Sequence, residues 1–167
     1  MFQGNYPTLM AEYNRWMNER LYELCASLPD EERKRDRGAF FKSIHGTFEH
    51  VLWGDRMWLG RFNGKTYPFA PIGQPLFEQF EDLRAARAEM DAEIAAWAGG
   101  TTAEWLAEPM TWTSKLYGFT QTQPRWILIT QMFNHQTHHR GQITTLLKQI
   151  GIDPGITDVP FLPALNT

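Results

Sequence analysis

Leu76, Phe80, Leu83, Arg87, Met90, Ile94 and Trp97 follow one another at alternating steps of four and three. A strand alternates with period two, so this spacing demands a helix whose narrow seam faces other helices. Arg87 is the one polar member, read either at the mouth of a pocket or as reaching past the seam to solvent. The helix spans Leu76 to Ala98 and is stopped by Gly99-Gly100. Three further segments carry helical periodicity. Tyr6 to Leu28 presents Leu9, Met10, Tyr13, Trp16, Met17, Leu21, Leu24 and Leu28 on one face and ends at Pro29-Asp30. A helix from Phe40 to Phe62 closes at Asn63-Gly64. A last one runs from Gln123 to Ile150, with Pro124 tolerated in its first turn and Gly151 after its end.

The intervening stretches read as connections. Glu31 to Arg37 is charged and solvated, and Lys65 to Pro75 holds three prolines and a glycine. Thr111-Trp112-Thr113 favours a strand and Tyr117-Gly118 a turn, so a short hairpin or ordered loop is expected within Thr101 to Gln121. The tail from Ile152 to Thr167 carries three prolines and is expected to pack over the helices as an extended segment. The fold class is therefore all-α: one domain over 1–167, a four-helix bundle with a hairpin or loop before the last helix.

Sixteen Lys and Arg against nineteen Asp and Glu leave a net charge of −3, without the basic surface that nucleic acid or anionic lipid requires. Cys25 stands alone, which excludes a disulfide scaffold or a cysteine-rich zinc cluster. Met1 to Met10 lacks a basic start and an apolar core, and no apolar run approaches the roughly 20 residues of a membrane span, so a cytoplasmic protein is expected. Seven Trp and eleven Phe point first to an aromatic-rich core and second to an aromatic pocket or subunit interface.

Sites in helical bundles are built from inward side chains on different helices. At about 100° per residue, the apolar face of the last helix comprises Leu128, Ile129, Met132, Ile143, Leu146, Leu147 and Ile150. His139 falls near its centre, and His135 about 40° away on the same side. His138 lies about 100° from His139, towards the edge. On the second helix Lys42, His45, Glu49 and Arg56 form a polar arc, which makes His45 the solvated histidine. His50 falls outside that arc among Gly46, Trp53, Gly54 and Met57. Asp55 also lies within the apolar arc and requires a partner there. An inward i, i+4 histidine pair joined by a third from another helix suits one divalent ion, although each histidine alone reads equally well as a hydrogen-bonded core residue. The inward glutamates of di-iron bundles are absent, which favours a mononuclear site.

Four segments carry a resemblance. Tyr13-Asn14-Arg15-Trp16-Met17-Asn18, Ser43-Ile44-His45-Gly46-Thr47-Phe48-Glu49-His50, Asp55-Arg56-Met57-Trp58-Leu59 and Asn134-His135-Gln136-Thr137-His138-His139-Arg140-Gly141-Gln142 resemble the DinB family of the DinB/YfiT-like superfamily. The likeness runs through essentially the whole chain, to Asp153-Pro154-Gly155 and Thr157-Asp158. It implies helices in up-down-down-up order, a homodimer, and a divalent metal ion, commonly nickel or zinc, held by three histidines. Carried over by motif, these are His50 in the Thr-x-x-His segment, and His135 and His139 in the His-x-x-x-His-Arg-Gly segment, the set already selected by facing.

The resemblance further implies a metal-dependent transferase or isomerase using a low-molecular-weight thiol such as bacillithiol or mycothiol. Three protein ligands leave an open position for a thiolate or hydroxide, whose pKa the metal lowers. Asn14 and Asn18, at the edge of the first apolar stripe, are candidates for orienting a substrate or are helix-surface residues. Arg140 is a candidate anchor for an anionic group or a partner of Asp55 or Glu12. The alternative is a dimeric, non-catalytic metal-binding bundle involved in stress response. Hydrolysis is a third reading, for which no carboxylate base is clearly placed. Because imidazole binds metal as the neutral base, affinity is expected to fall as the pH drops towards about 6.5.

Overall fold

A computed structural model describes residues 5–70, 74–114 and 117–165. Residues 71–73 of the proline-rich connection and 166–167 of the tail lie outside the described residues. Four long helices carry the fold: α1 (Tyr6–Ala26), α3 (Ile44–Asn63), α4 (Phe80–Gly99) and α6 (Arg125–Gln149). Two single-turn helices, α2 (Asp30–Lys34) and α5 (Ala103–Ala107), lie in the connections. The expected hairpin is present as antiparallel strands β1 (Pro109–Ser114) and β2 (Phe119–Pro124), with Pro109 opposite Pro124 and Ser114 opposite Phe119. Among the described residues no helix is long and apolar enough to cross a membrane.

Contacts along the helices give their directions. Thr8 meets Ala98 and Asn18 meets Asp91, so α1 and α4 run antiparallel. His50 meets His139 and, one turn further along α3, Gly54 packs on His135, so α3 and α6 do likewise. Phe48 touches Phe80, Asp55 touches Arg87 and Phe62 stacks on Trp97, which makes α3 and α4 parallel. Tyr6 against Phe133 and Tyr13 against Arg140 make α1 and α6 parallel. The order is up-down-down-up. Between these helices Met17, Leu21, Leu59, Leu83, Ile94, Ile129, Met132 and Phe133 are sealed from solvent. The aromatic surplus gathers at the two ends, as Tyr22, Phe48 and Phe80 at one and Trp58, Phe62, Trp97, Trp105 and Trp112 at the other.

Three helix starts differ from the sequence expectation. In the last helix Gln123 and Pro124 belong to β2, opposite Met110 and Pro109, so the helix begins at Arg125 instead of holding Pro124 in its first turn. The second long helix begins at Ile44 because the Ser43 hydroxyl caps it, accepting from Gly46 N at 3.0 Å. The chain before the cap turns back on itself through an Ala39–Lys42 bridge, with Lys42 at φ 65°. Its other end is a glycine cap as expected: Gly64 at φ 74° closes the helix in the left-handed region. The helix α4 begins at Phe80 because the Glu49 carboxylate takes the backbone N–H groups of Leu76 and Phe77 at 2.9 and 2.6 Å. Residues 76–79 therefore lie as a strap along α3.

That strap overturns the reading of His45 as solvated. His45 is 4% exposed, and its Nε2–H donates to the Phe77 carbonyl at 2.8 Å. Arg56, on the same polar arc, is also covered: it donates to the Pro68 carbonyl at 3.3 Å and lies over the Phe77 ring.

The polar residues placed on the seams meet in the core. Asp55 is wholly buried and pairs with Arg87, while Gln136 Nε2 donates to its other oxygen at 2.5 Å. Arg87 thus lies neither at a pocket mouth nor in solvent; its other nitrogen is 2.9 Å from Asp91. Asn18 donates to both oxygens of Asp91 at 3.0 and 3.1 Å, and Asn14 is entirely enclosed, so neither asparagine is available on a surface. Arg140 is buried beside the Tyr13 ring, bonded to Thr137, with no ion pair to Asp55 or Glu12 among the described residues. Burial pushes its guanidinium down to about 10, which still leaves it charged at neutral pH.

Two carboxylates and two guanidiniums thus share the core, so removing one cation strands a buried anion. Arg87→Met is expected to lower the free energy of unfolding by about 3–5 kcal/mol, read from urea titration by circular dichroism. An unchanged midpoint would show that the ion pairs contribute nothing.

Candidate metal centre

Helix α3 supplies His50, and α6 supplies His135 and His139, one turn apart on the same face. Their nearest ligating nitrogens all lie within 4.8 Å of one another. The Nε2 atoms of His50 and His135 are 2.9 Å apart, and the ring centres of the three imidazoles are 4.5 to 4.9 Å apart. His139 is buried, while His50 and His135 remain partly open to solvent.

This approach depends on a missing side chain. A Cβ built on Gly54 would stand 2.6 Å from His135 Cε1 and 2.9 Å from its Nδ1. Glycine therefore lets α6 bring His135 against α3. Four residues earlier on α3, the His50 ring runs nearly parallel to two others: Phe41 stacks at 3.7 Å between centres and 18°, and Trp53 lies at 5.8 Å and 15°. Phe41 also meets His139 edge-on, and Phe69 extends the aromatic wall beyond Trp53. Phe41 reaches the site because the Ala39–Lys42 turn, instead of a further helical turn, precedes Ser43.

A metal takes only the neutral imidazole. Burial, followed by the neighbouring imidazoles, pushes His50 down to about 3 and His135 to about 4. Burial also lowers His139, against the opposing effect of its bond to Gln142. All three are therefore neutral at pH 7. His139 Nδ1 lies 2.8 Å from Gln142 Oε1. Three neutral nitrogen donors from two rigid helices fit one divalent ion with a position to spare.

The two histidines set apart in the sequence are indeed outside this group. His45 is bonded to Phe77, and His138 is exposed, with its Nε2 3.3 Å from the Gln142 amide nitrogen. Sequence reasoning did not single out Phe41, Gly54 and Gln142. Gln142 had a visible signal, three residues beyond His139 on one helical face. Gly54 had one as well, a full turn from His50. Phe41 had none, because it was placed inside a helix.

Beside the centre, the turn over 37–40 and the outer face of α6 enclose a cleft of about 360 Å³. Phe40, His138 and Gln142 line it, with Arg37 and Gln149 further along. The Phe40 ring is 82% exposed.

The sequence model of the DinB family matches residues 1–166. The protein named Protein DinB from Bacillus subtilis (strain 168) is 28% identical over 164 residues, spanning 93% of this chain and 92% of that protein. The crystal structure of a DinB-like protein from Bacillus cereus ATCC 10987 superposes with a TM-score of 0.62 at 20% identity, covering 84% of this chain and 91% of that chain. At that identity the likeness speaks for the fold.

Because the folded values of His50 and His135 lie below the unfolded value of about 6.5, the unfolded chain binds more protons between them. Their contribution to the stability of the metal-free protein is full above about pH 6.5 and is lost as the pH falls towards the folded values. In an NMR titration of the metal-free protein, the His50 and His135 ring resonances are expected to stay unshifted at pH 5.5. Midpoints near 6.5 would contradict the neutral site.

Proposed function

The chain belongs to the DinB family, and on that premise we propose that it is a metal-dependent enzyme of the thiol-transferase type. His50, His135 and His139 hold one divalent ion. Nickel and zinc are the first candidates for a site of imidazole donors. The observation that carries the reading is the convergence of three neutral imidazoles from two helices, with part of the cluster open to solvent.

When bound, the ion supplies Lewis acidity that lowers the pKa of a thiol or water at its open position. The chain's own residues provide the rest. Gly54 and the Asp55–Gln136 bond hold α3 and α6 close enough for the donors to meet. Phe41 stacks on the His50 ring and Trp53 lies nearly parallel to it, which favours one ring orientation. A small electrophile would approach from the side on which His50 and His135 are partly open to solvent. The reaction class is S-transfer: the thiol gives up its proton, a carbon–sulfur bond forms, and the leaving group departs with its bonding electrons. A homodimer, which the aromatic excess and the family resemblance favour, is part of this proposal.

Metal content tests the ligand set. Elemental analysis of purified variants is expected to show one ion per chain in the wild type and in His138→Ala, and little in His50→Ala, His135→Ala or His139→Ala. Helical circular dichroism should persist throughout, since the bundle core does most of the folding work. Loss of the ion from His138→Ala with retention in His139→Ala would refute the assignment. The depressed histidine values also favour proton competition for the ion at a lower pH than the sequence alone suggests.

Activity is tested separately. Consumption of a reporter electrophile is measured with several low-molecular-weight thiols, with and without the ion. Acceleration that needs both the metal and one particular thiol is the expected result. No acceleration with any thiol would favour a non-catalytic metal-binding bundle.

A further inference from the structure

We propose that Gln142 is the positioning residue of the metal centre, fixing the proton of His139 on Nδ1 so that Nε2 is presented as a ligand atom. The inference rests on the metal-binding reading above and adds a residue outside the three histidines.

A neutral imidazole carries one N–H and one lone pair, and its function as a ligand depends on which nitrogen has which. Gln142 lies three residues after His139 on the same helix, so the backbone itself brings the two side chains together. Its Oε1 is 2.8 Å from His139 Nδ1. A carbonyl oxygen can only accept, so Nδ1 must bear the hydrogen and Nε2 the lone pair.

The opposite orientation of the carboxamide would reverse this. An amide N–H₂ against Nδ1 would favour hydrogen on Nε2 and place a proton where the ion must bind. The other end of the amide argues against that orientation. Its nitrogen lies 3.3 Å from His138 Nε2, a nitrogen that can accept. The exposed neighbour that takes no part in the ligand set thus satisfies the amide, with its oxygen turned inward.

Such outer partners commonly alter metal affinity by 10- to 100-fold when removed. A carboxylate at the same place would accept the same N–H more strongly and make the imidazole a better donor. The carboxamide gives the orientation without adding a negative charge, which suits a centre whose Lewis acidity is to be kept.

The test uses the full-length protein and zinc as the probe. Affinity is measured by competition with a chromophoric chelator for the wild type, Gln142→Leu and Gln142→Glu, each checked for helical content. Gln142→Leu is expected to bind zinc about 10- to 100-fold more weakly, and Gln142→Glu at least as tightly as the wild type. Nitrogen-15 NMR of the metal-free wild type is expected to show His139 protonated on Nδ1. Equal affinities for the wild type and Gln142→Leu, or a metal-free His139 protonated on Nε2, would overturn the inference. A wild type that takes up no zinc would refute the metal-binding reading instead, while the tautomer measurement would still decide the role of Gln142.

Discussion

Asp55 sits at the middle of the bundle with no access to water, and an ionised carboxylate there is tolerable only with charge and hydrogen bonds around it. Arg87 from α4 and Gln136 from α6 satisfy its two oxygens. Arg87 continues to Asp91, and Asn18 of α1 completes that second carboxylate. One contiguous polar network therefore draws a residue from each of the four long helices. A layer of leucines could slide by a turn and still bury the same area. This network could not, because each donor would lose its acceptor inside the protein. The histidine cluster inherits its register from that constraint. Gly54 precedes Asp55 and His135 precedes Gln136, so the bond that ties the core sets the ring against the glycine.

Much of this was legible in the chain because helical facing is a local property. The four long helices, the need of Asp55 for a partner, and the inward set His50, His135 and His139 all follow from spacing along single segments. The departures arose where a distant segment intervened. The wheel of the second helix assigned His45 to water correctly for an isolated helix, but the strap over 76–79 covers that face. The strap itself was hidden, since Leu76 continues the periodicity of α4 and nothing local reveals that Glu49 takes its N–H. Arg87 and the two asparagines were misplaced for the complementary reason. A polar residue on a seam reads as an edge feature until its counter-charge on another helix is known. Arg140 is the extreme case, buried against an aromatic ring without an ion pair among the described residues.

The surroundings of the histidines also explain why so many aromatics are invested in a small bundle. Phe41 and Trp53 do not enlarge the main core; they lie against an imidazole whose partial burial makes it harder to protonate. The same rings that make the site apolar therefore keep its nitrogens available. Tyr22, Phe48 and Phe80 at one end, and the tryptophans at the other, perform the ordinary task of closing the bundle.

The parallel run of α3 and α4 has a further effect on the chain as a polymer. His50 and His135 touch although 85 residues separate them, and that interval contains α4, α5 and the hairpin. An ion shared by the two would act as a cross-link closing a very long loop. In chain-entropy terms, a link of that span restricts the unfolded ensemble by about 4–5 kcal/mol, as a disulfide of equal reach would. A chain with a single, buried cysteine would thereby acquire a removable staple, one that is fastened or released by metal supply instead of redox potential.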